Sequence, residues 1–81
     1  MTVYVDASRY PYRGMIMCHM TADTLDELHA MADAIGMQRK WFQNTRHPHY
    51  DICKSMRAKA VALGAKEVSS KQIVLVAKAL K

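Results

Sequence analysis

The stretch Thr24-Leu-Asp-Glu-Leu-His-Ala-Met-Ala-Asp-Ala-Ile-Gly36 predicts a complete helix with both of its ends. Thr24 and Glu27 match the capping box, in which the threonine hydroxyl accepts a hydrogen bond from the backbone N–H of the glutamate. Gly36 stands where a left-handed residue would end the helix. Between these ends, apolar residues recur at helical spacing on one face: Leu25, Leu28, Ala32 and Ile35. The segment therefore predicts an amphipathic helix.

The pattern at the end of this helix recurs later in the chain. Residues 31–36 are followed by residues 39–42, and residues 59–64 are followed by residues 66–68. In each case a helical segment is followed by a glycine, a short polar link and a strand-like segment. Because alternating helices and strands with short links are typical of α/β proteins, we predict a single small α/β domain over residues 1–81. Its sheet is expected to have three to four strands, at least partly parallel, with about three helices.

Local signals predict the other elements. Strands are expected over residues 2–5, 15–20, 37–43 and 65–68, a loop over residues 7–14, and two further helices over residues 51–63 and 69–80. Asp51 is expected to cap the second helix, because a short carboxylate can accept hydrogen bonds from the backbone N–H groups of a first turn. Ser69 and Gln72 repeat the capping-box spacing before the third helix.

The composition excludes several classes of protein. With 51% hydrophobic and 23% charged residues, the chain is typical of a folded globular domain rather than a disordered one. No apolar run approaches the ~20 residues that span a bilayer, and Asp6 and Arg9 interrupt the stretch that a signal peptide would need. We therefore expect a cytoplasmic protein with no membrane partner, in which Cys18 and Cys53 are reduced thiols.

Positive charge is concentrated in the second part of the chain. Residues 1–33 carry two Lys or Arg against five Asp or Glu, a net charge of −3, whereas residues 34–81 carry ten against two, a net charge of +8. This asymmetry favours an anionic ligand or nucleic acid as a partner, or a head-to-tail contact between copies in an oligomer. A solvated lysine-rich surface is the plain alternative.

Residues 43–51, Gln-Asn-Thr-Arg-His-Pro-His-Tyr-Asp, concentrate side chains that can carry chemistry. If the predicted strands are parallel, their carboxyl ends bring six residues to one edge of the sheet: Asp6, His19, Asp23, His47, His49 and Asp51. The leading hypothesis depends on four of them, Asp6, His19, His49 and Asp51. In open α/β sheets, this edge is where ligands bind. The sequence therefore predicts a polar His/Asp site there.

Two catalytic chemistries fit such a site. A divalent metal ion could be bound by His19, His49 and Asp51, with an open position for water. Alternatively, a histidine oriented by Asp51 or Asp6 could act as a general acid or base without a metal. The candidate catalytic residues are His49, Asp51, Asp6 and Tyr50.

Other arrangements remain open. Arg46, together with the amides that start the second helix, could bind a phosphate, and Gln43 and Tyr4 are further candidate ligand-binding residues. A closed zinc site could combine both cysteines with two histidines, although its spacing is unlike the usual paired motifs: Cys18, His19, His49 and Cys53. The chain has no Gly-rich phosphate loop, Ser nucleophile elbow or Cys-x-x-Cys, so the common templates of nucleotide-binding proteins and hydrolases are excluded.

Several motifs together resemble a known family: Met-Thr-Val-Tyr-Val-Asp at residues 1–6, Met-Cys-His-Met at 17–20, Glu-Leu-His-Ala-Met-Ala at 27–32, Trp-Phe-Gln at 41–43 and His-Tyr-Asp at 49–51. With these motifs, the chain resembles short bacterial and phage proteins that are catalogued as a domain of unknown function. The resemblance covers nearly the whole chain and implies one compact domain without supplying a mechanism. The family's motif positions fall on Tyr4, Asp6, His19, Asp23, His29, Trp41, His49, Tyr50 and Asp51.

The leading hypothesis is a His/Asp site that acts on a phosphate-containing or otherwise anionic ligand, as a metal-dependent hydrolase. The alternative is a non-enzymatic interaction module, which would bind nucleic acid or a host protein through the basic second half of the chain. In a third interpretation, the histidines only hold the polar loop to the body of the domain.

Overall fold

The structure is a computed structural model that describes residues 2–7, 10–12 and 14–80. Five strands are formed: β1 (Val3–Asp6), β2 (Tyr10–Tyr12), β3 (Met15–Ala22), β4 (Tyr50–Cys53) and β5 (Lys66–Val68). Three α-helices accompany them: α1 (Leu25–Ile35), α2 (Lys54–Ala62) and α3 (Ser70–Ala79). The predicted α/β fold with three helices is confirmed.

The long strand β3 is the centre of the sheet. Its residue Met20 pairs with Val5 of β1 and with Tyr50 of β4, so these two strands lie on opposite edges of β3. Strand β2 pairs with the beginning of β3 on the same edge as β1, which makes the sheet four strands wide. Strand β5 extends the sheet beyond β1 and runs parallel to it. The expected partly parallel sheet is therefore confirmed, with five strands where three to four were expected.

The direction of β3 corrects the expected geometry of the site. β3 runs antiparallel to both β1 and β4. His19 therefore lies within a strand rather than after one, and the carboxyl ends of parallel strands do not gather the four candidate residues at one edge. The prediction of that edge was wrong because strand directions depend on pairings between distant segments, which local sequence patterns do not specify.

One face of the sheet carries the hydrophobic core. Because successive strand residues point to opposite faces, alternate positions of β1, β3 and β4 meet on this face. The core cluster comprises Val3, Val5, Cys18, Met20, Ala22, Tyr50 and Ile52 from the strands, together with Leu28, Ala32, Ile35, Ala60, Ala65 and Leu80. Helix α1 covers this face with the apolar stripe predicted from its sequence, apart from the half-exposed Leu25.

The predicted caps of α1 and α3 are present. The Thr24 hydroxyl accepts a hydrogen bond of 3.2 Å from the Glu27 backbone N–H, and Gly36 ends α1 with a φ of 86°. Before α3, the Ser69 hydroxyl accepts a hydrogen bond of 3.1 Å from the Gln72 backbone N–H. These helix ends were predictable because each cap depends on residues only three positions apart.

Three other predicted segments need correction. Helix α2 begins at Lys54 after the N-cap residue Cys53, and Asp51 is a strand residue rather than a helix cap. The strand expected over residues 37–43 is instead a 3₁₀ turn at Arg39–Trp41, with an isolated bridge from Gln43 to His49. Trp41 is 54% exposed, so it does not anchor a buried strand.

The loop expected over residues 7–14 is the third case. Within it, Tyr10–Tyr12 form β2, which gains its backbone hydrogen bonds by pairing with the start of β3. The other part of this prediction, at Ser8, Arg9 and Arg13, lies outside the described residues.

In the described part of the chain, every helix is too short or too polar to cross a membrane.

Truncating the buried stripe of α1 tests the assignment of the core. Leu28 is fully buried and Leu25 is 40% exposed on the same helix. We expect Leu28→Ala to lower the free energy of unfolding by about 2–5 kcal/mol, because it leaves a cavity in the core. Leu25→Ala is the matched control and should cost less than about 1 kcal/mol. Urea denaturation measures both values, and equal losses would contradict the packing described for α1.

Candidate metal-binding site

Neighbouring strands bring four polar residues together on the sheet face opposite the core. His19 of β3 is paired directly with Asp51 of β4, and directly opposed residues point to the same face. His49 lies two residues before Asp51 and therefore shares its face. Asp6 follows Val5, the partner of Met20, which places it beside His19. We call Asp6, His19, His49 and Asp51 the His/Asp cluster.

His19 is held by the buried carboxylate of Asp6. Asp6 is fully buried, and its two oxygens accept hydrogen bonds from His19: Oδ1 from the backbone N–H at 3.0 Å and Oδ2 from ring Nδ1 at 2.7 Å. When Asp6 is ionised, its oxygens can only accept, and Nδ1 of His19 then carries the ring proton. In a neutral imidazole, Nε2 then carries the lone pair, and this atom lies 3.8 Å from Asp51 Oδ1.

His49 is fixed in the same tautomer by a backbone carbonyl. Its Nδ1 lies 2.6 Å from the carbonyl oxygen of His47, which can only accept a hydrogen bond. Nε2 of the neutral ring therefore carries the lone pair, 3.2 Å from Asp51 Oδ1. Backbone hydrogen bonds between Gln43 and His49 close the loop, and the buried Thr21 hydroxyl donates to the carbonyl oxygen of Pro48 at 3.0 Å. These bonds set the position of the His49 ring.

Three potential ligand atoms converge as a result. One atom each from His19, His49 and Asp51 lies within 4.8 Å of the other two. Zinc bonds to imidazole and carboxylate are about 2.0–2.2 Å long, which separates tetrahedral ligand atoms by about 3.3 Å. The distances of 3.2 and 3.8 Å to Asp51 Oδ1 are close to that value. Only small side-chain movements would be needed to place an ion between the three groups.

The electrostatics of the cluster favour a cation. The Nε2 atoms of His19 and His49 lie 3.8 and 3.2 Å from Oδ1 of Asp51, which is shielded from solvent. Two imidazoles and a carboxylate around one small volume are groups that attract a proton or a metal ion. Accordingly, the hydrogen bond with Asp51 raises the pKa of His49 above its ordinary value, although burial of the ring acts in the opposite direction.

Other predicted site residues lie elsewhere. Tyr50 is fully buried on the core side of β4, where its hydroxyl is 2.7 Å from Nδ1 of His29. The Tyr4 hydroxyl donates to Asp23 at 3.0 Å. Arg46 and Gln43 are exposed residues of the loop that precedes β4. The catalytic role suggested for Tyr50 and the ligand-binding roles suggested for Tyr4, Arg46 and Gln43 stay predictions.

The arrangement of the cysteines differs from a Cys₂His₂ site. Cys18 belongs to the core cluster and, as the neighbour of His19 in a strand, points to the opposite face. Burial raises the pKa of its thiol to about 11, so it is a poor source of the thiolate that zinc requires. Cys53 contacts Ser55 at 3.2 Å, and this hydrogen bond lowers the pKa of its thiol.

The correct position of Asp51 had a signal in the sequence. From His49 to Cys53, polar and core residues alternate, which is typical of a half-buried strand. A cap was expected because Asp51 precedes a helical segment, but the alternation continues for two residues beyond it. The hydrogen bond of His49 to the His47 carbonyl could not be predicted from side-chain identities, because any residue at position 47 provides the same backbone group.

Comparisons with known proteins assign a family and no activity. A family model with the description "Protein of unknown function (DUF4031)" matches residues 3–80. Searches of curated proteins and of solved structures give no match. The function must therefore be argued from the cluster.

The raised pKa of His49 makes stability depend on pH in the metal-free protein. A group whose folded pKa exceeds its unfolded value contributes stability below the unfolded pKa, about 6.5 for histidine, and loses it as the pH rises through the folded pKa. We expect Asp51→Asn to lower the pKa of His49 and to weaken this loss of stability. NMR titration of the ring in EDTA and urea denaturation across this range measure the two effects. His47→Ala is the control, and an unchanged His49 midpoint in Asp51→Asn would contradict the assignment.

Proposed function

The chain belongs to the DUF4031 family of proteins of unknown function, and we propose that it binds a divalent transition-metal ion through His19, His49 and Asp51 and uses the ion to hydrolyse a phosphate-containing ligand. The observation that carries the proposal is the shared orientation of the two imidazoles. Each ring is fixed through Nδ1, so each Nε2 is directed toward Asp51.

The surroundings of the rings support a metal site. Histidines that bind metals commonly donate their second ring N–H to a carboxylate or a backbone carbonyl, which orients the ring and increases its basicity. His19 makes the first kind of contact, with Asp6, and His49 makes the second, with the His47 carbonyl. In this proposal Asp6 is a positioning residue, because it acts on the metal through His19.

The number of ligands supports catalysis over a purely structural role. Catalytic zinc sites typically have three protein ligands and leave a position for water, whereas structural sites use four. The three side chains keep 32%, 21% and 33% of their surface exposed for His19, His49 and Asp51, so solvent can reach the site. A metal bound there would lower the pKa of its water into the neutral range and so supply a nucleophile at neutral pH. Two imidazoles and one carboxylate also suit iron(II) or manganese(II).

Metal binding is tested by equilibrium dialysis of purified protein against zinc, manganese and iron(II), followed by elemental analysis. We expect one ion per chain, and at least a hundredfold loss of affinity in His49→Ala, because one of three ligands is removed. Asp6→Asn should weaken binding about 10–100-fold, as is typical when a residue behind a ligand is changed. His47→Ala is the matched control, because only its backbone carbonyl contacts the site.

Circular dichroism and thermal unfolding would establish that each variant is folded. Failure of the folded wild-type protein to retain any of the three metals would overturn the proposal. Equal losses in His47→Ala and His49→Ala would also contradict the ligand set.

Hydrolysis is tested with a chromogenic phosphomonoester and a chromogenic phosphodiester. We expect turnover by the metal-loaded protein, its loss on addition of EDTA, and its recovery when the metal is restored. His49→Ala should remain inactive in excess metal. Turnover that survives both EDTA and His49→Ala would show that the His/Asp cluster is not responsible.

The basic second half of the chain favours a second candidate function, the binding of nucleic acid without catalysis. Besides Lys40, which lies over the Trp41 ring, five exposed lysines form no salt bridge within the described residues: Lys54, Lys59, Lys66, Lys71 and Lys78. Contacts between such lysines and phosphates release counterions, so binding weakens steeply as salt is added. A host protein recognised through apolar contacts would show much weaker dependence on salt.

Fluorescence titration of a labelled oligonucleotide tests this candidate. If five lysines each neutralise one phosphate of a duplex, affinity should fall about 500-fold between 50 and 200 mM salt. Metal removal and His49→Ala should leave that affinity unchanged, since the lysines lie outside the cluster. Affinity below detection at 50 mM salt would exclude this function.

A further inference from the structure

A separate cavity is lined by residues of β3, α2 and β5. Its volume is about 310 Å³, and its walls include Ala7, Cys18, Lys54, Arg57 and Glu67. This volume is at the lower end of the range of about 300–1,000 Å³ that is typical of small-molecule sites. None of the three candidate metal ligands lines it, so it would be a second site rather than the metal site itself.

The backbone joins the cavity to the cluster. Ala7 and Cys18 line the cavity and are the immediate neighbours of Asp6 and His19. Arg57 makes a direct connection, because its Nε donates a hydrogen bond of 2.8 Å to the carbonyl oxygen of Asp6. The carboxylate of the same Asp6 holds His19. A ligand in the cavity would therefore lie beside the residues that position a metal ligand.

The charged side chains of the cavity favour an anion. Lys54 and Arg57 face one carboxylate, that of Glu67, which leaves an excess of positive charge among the lining residues. Arg57 donates to Glu67 at 2.9 Å and to Asp6 at 2.8 Å, which uses two of its five N–H donors. Its guanidinium is thus fixed in place while it retains the capacity to bind the oxygens of a phosphate.

We infer that this cavity binds a phosphate group of a small phosphate-containing ligand, with Lys54 and Arg57 as the recognising side chains. The inference does not rest on the proposed hydrolysis, because the reacting phosphate of a hydrolysed ester would have to lie at the metal ligands, none of which lines the cavity. The phosphate group is the shared feature of small esters and of nucleic acid, and the size of the cavity favours a small ester.

The test uses inorganic phosphate as the probe and isotope-labelled, metal-free protein in EDTA. In a two-dimensional NMR titration at constant ionic strength, we expect saturable shifts of the backbone amides of Ala7, Cys18 and Ala58, all of which line the cavity. Acetate under the same conditions should not produce them. Shifts spread evenly over all lysine-bearing surfaces, or identical shifts with acetate, would overturn the inference.

Two lysines of the same helix provide a matched pair of variants. Lys54 lines the cavity, whereas Lys59 is exposed on α2 and does not line it. Lys54→Ala should weaken phosphate binding about three- to tenfold, and Lys59→Ala should leave it unchanged. Equal effects would show that phosphate responds only to net charge. An oligonucleotide that binds far more tightly than phosphate and is insensitive to Lys54→Ala would also contradict a small-ester site.

The outcome separates the two proposals. Phosphate binding at the cavity without any metal binding would support the anion site and overturn the proposed hydrolase. Metal binding and hydrolysis without phosphate-induced shifts in the cavity would retain the proposed function and overturn this inference.

Discussion

The contact between Asp6 and His19 constrains most of the arrangement described above. A fully buried carboxylate is costly unless its oxygens receive hydrogen bonds, and His19 provides both the backbone and the ring donor. The same contact joins the end of β1 to the middle of β3 and selects one tautomer of the ring. A carboxylate in this position is thus simultaneously a link between strands and a determinant of the chemistry of its neighbour.

The alternation of residues along β4 places apolar and polar side chains on opposite faces of the sheet. In β4, Tyr50 and Ile52 enter the core, while Asp51 and Cys53, together with His49 just before the strand, lie on the other face. This division supports the polar cluster, because the core side chains of β4 are closely packed and restrict the movement of Asp51 and of the neighbouring His49. Preorganised ligands of this kind bind ions without a large cost in side-chain entropy.

The sequence was most informative where structure depends on nearby residues. The ends of α1 and α3 follow from capping boxes only three residues apart, and the apolar stripe of α1 follows from helical spacing. The members of the His/Asp cluster were also predicted, but on the assumption of parallel strands. The structure instead has β3 antiparallel to both β1 and β4. The residues still meet because His19 and Asp51 are direct partners across two strands. Neither that pairing nor the cavity beside Asp6 could be derived from local patterns, since both depend on contacts between segments more than thirty residues apart.

The alternation in β4 also bears on how this protein opens. Ordinarily, a binding loop can detach from a stable core at a small fraction of the global unfolding free energy. Here the continuous segment His49–Ile52 supplies both the candidate ligands His49 and Asp51 and the fully buried residues Tyr50 and Ile52. Displacing the ligands by moving this strand would expose the core at the same time. The free energy of opening the site is therefore close to that of unfolding the domain. An ion bound at the cluster would thus stabilise the whole fold and not only the site.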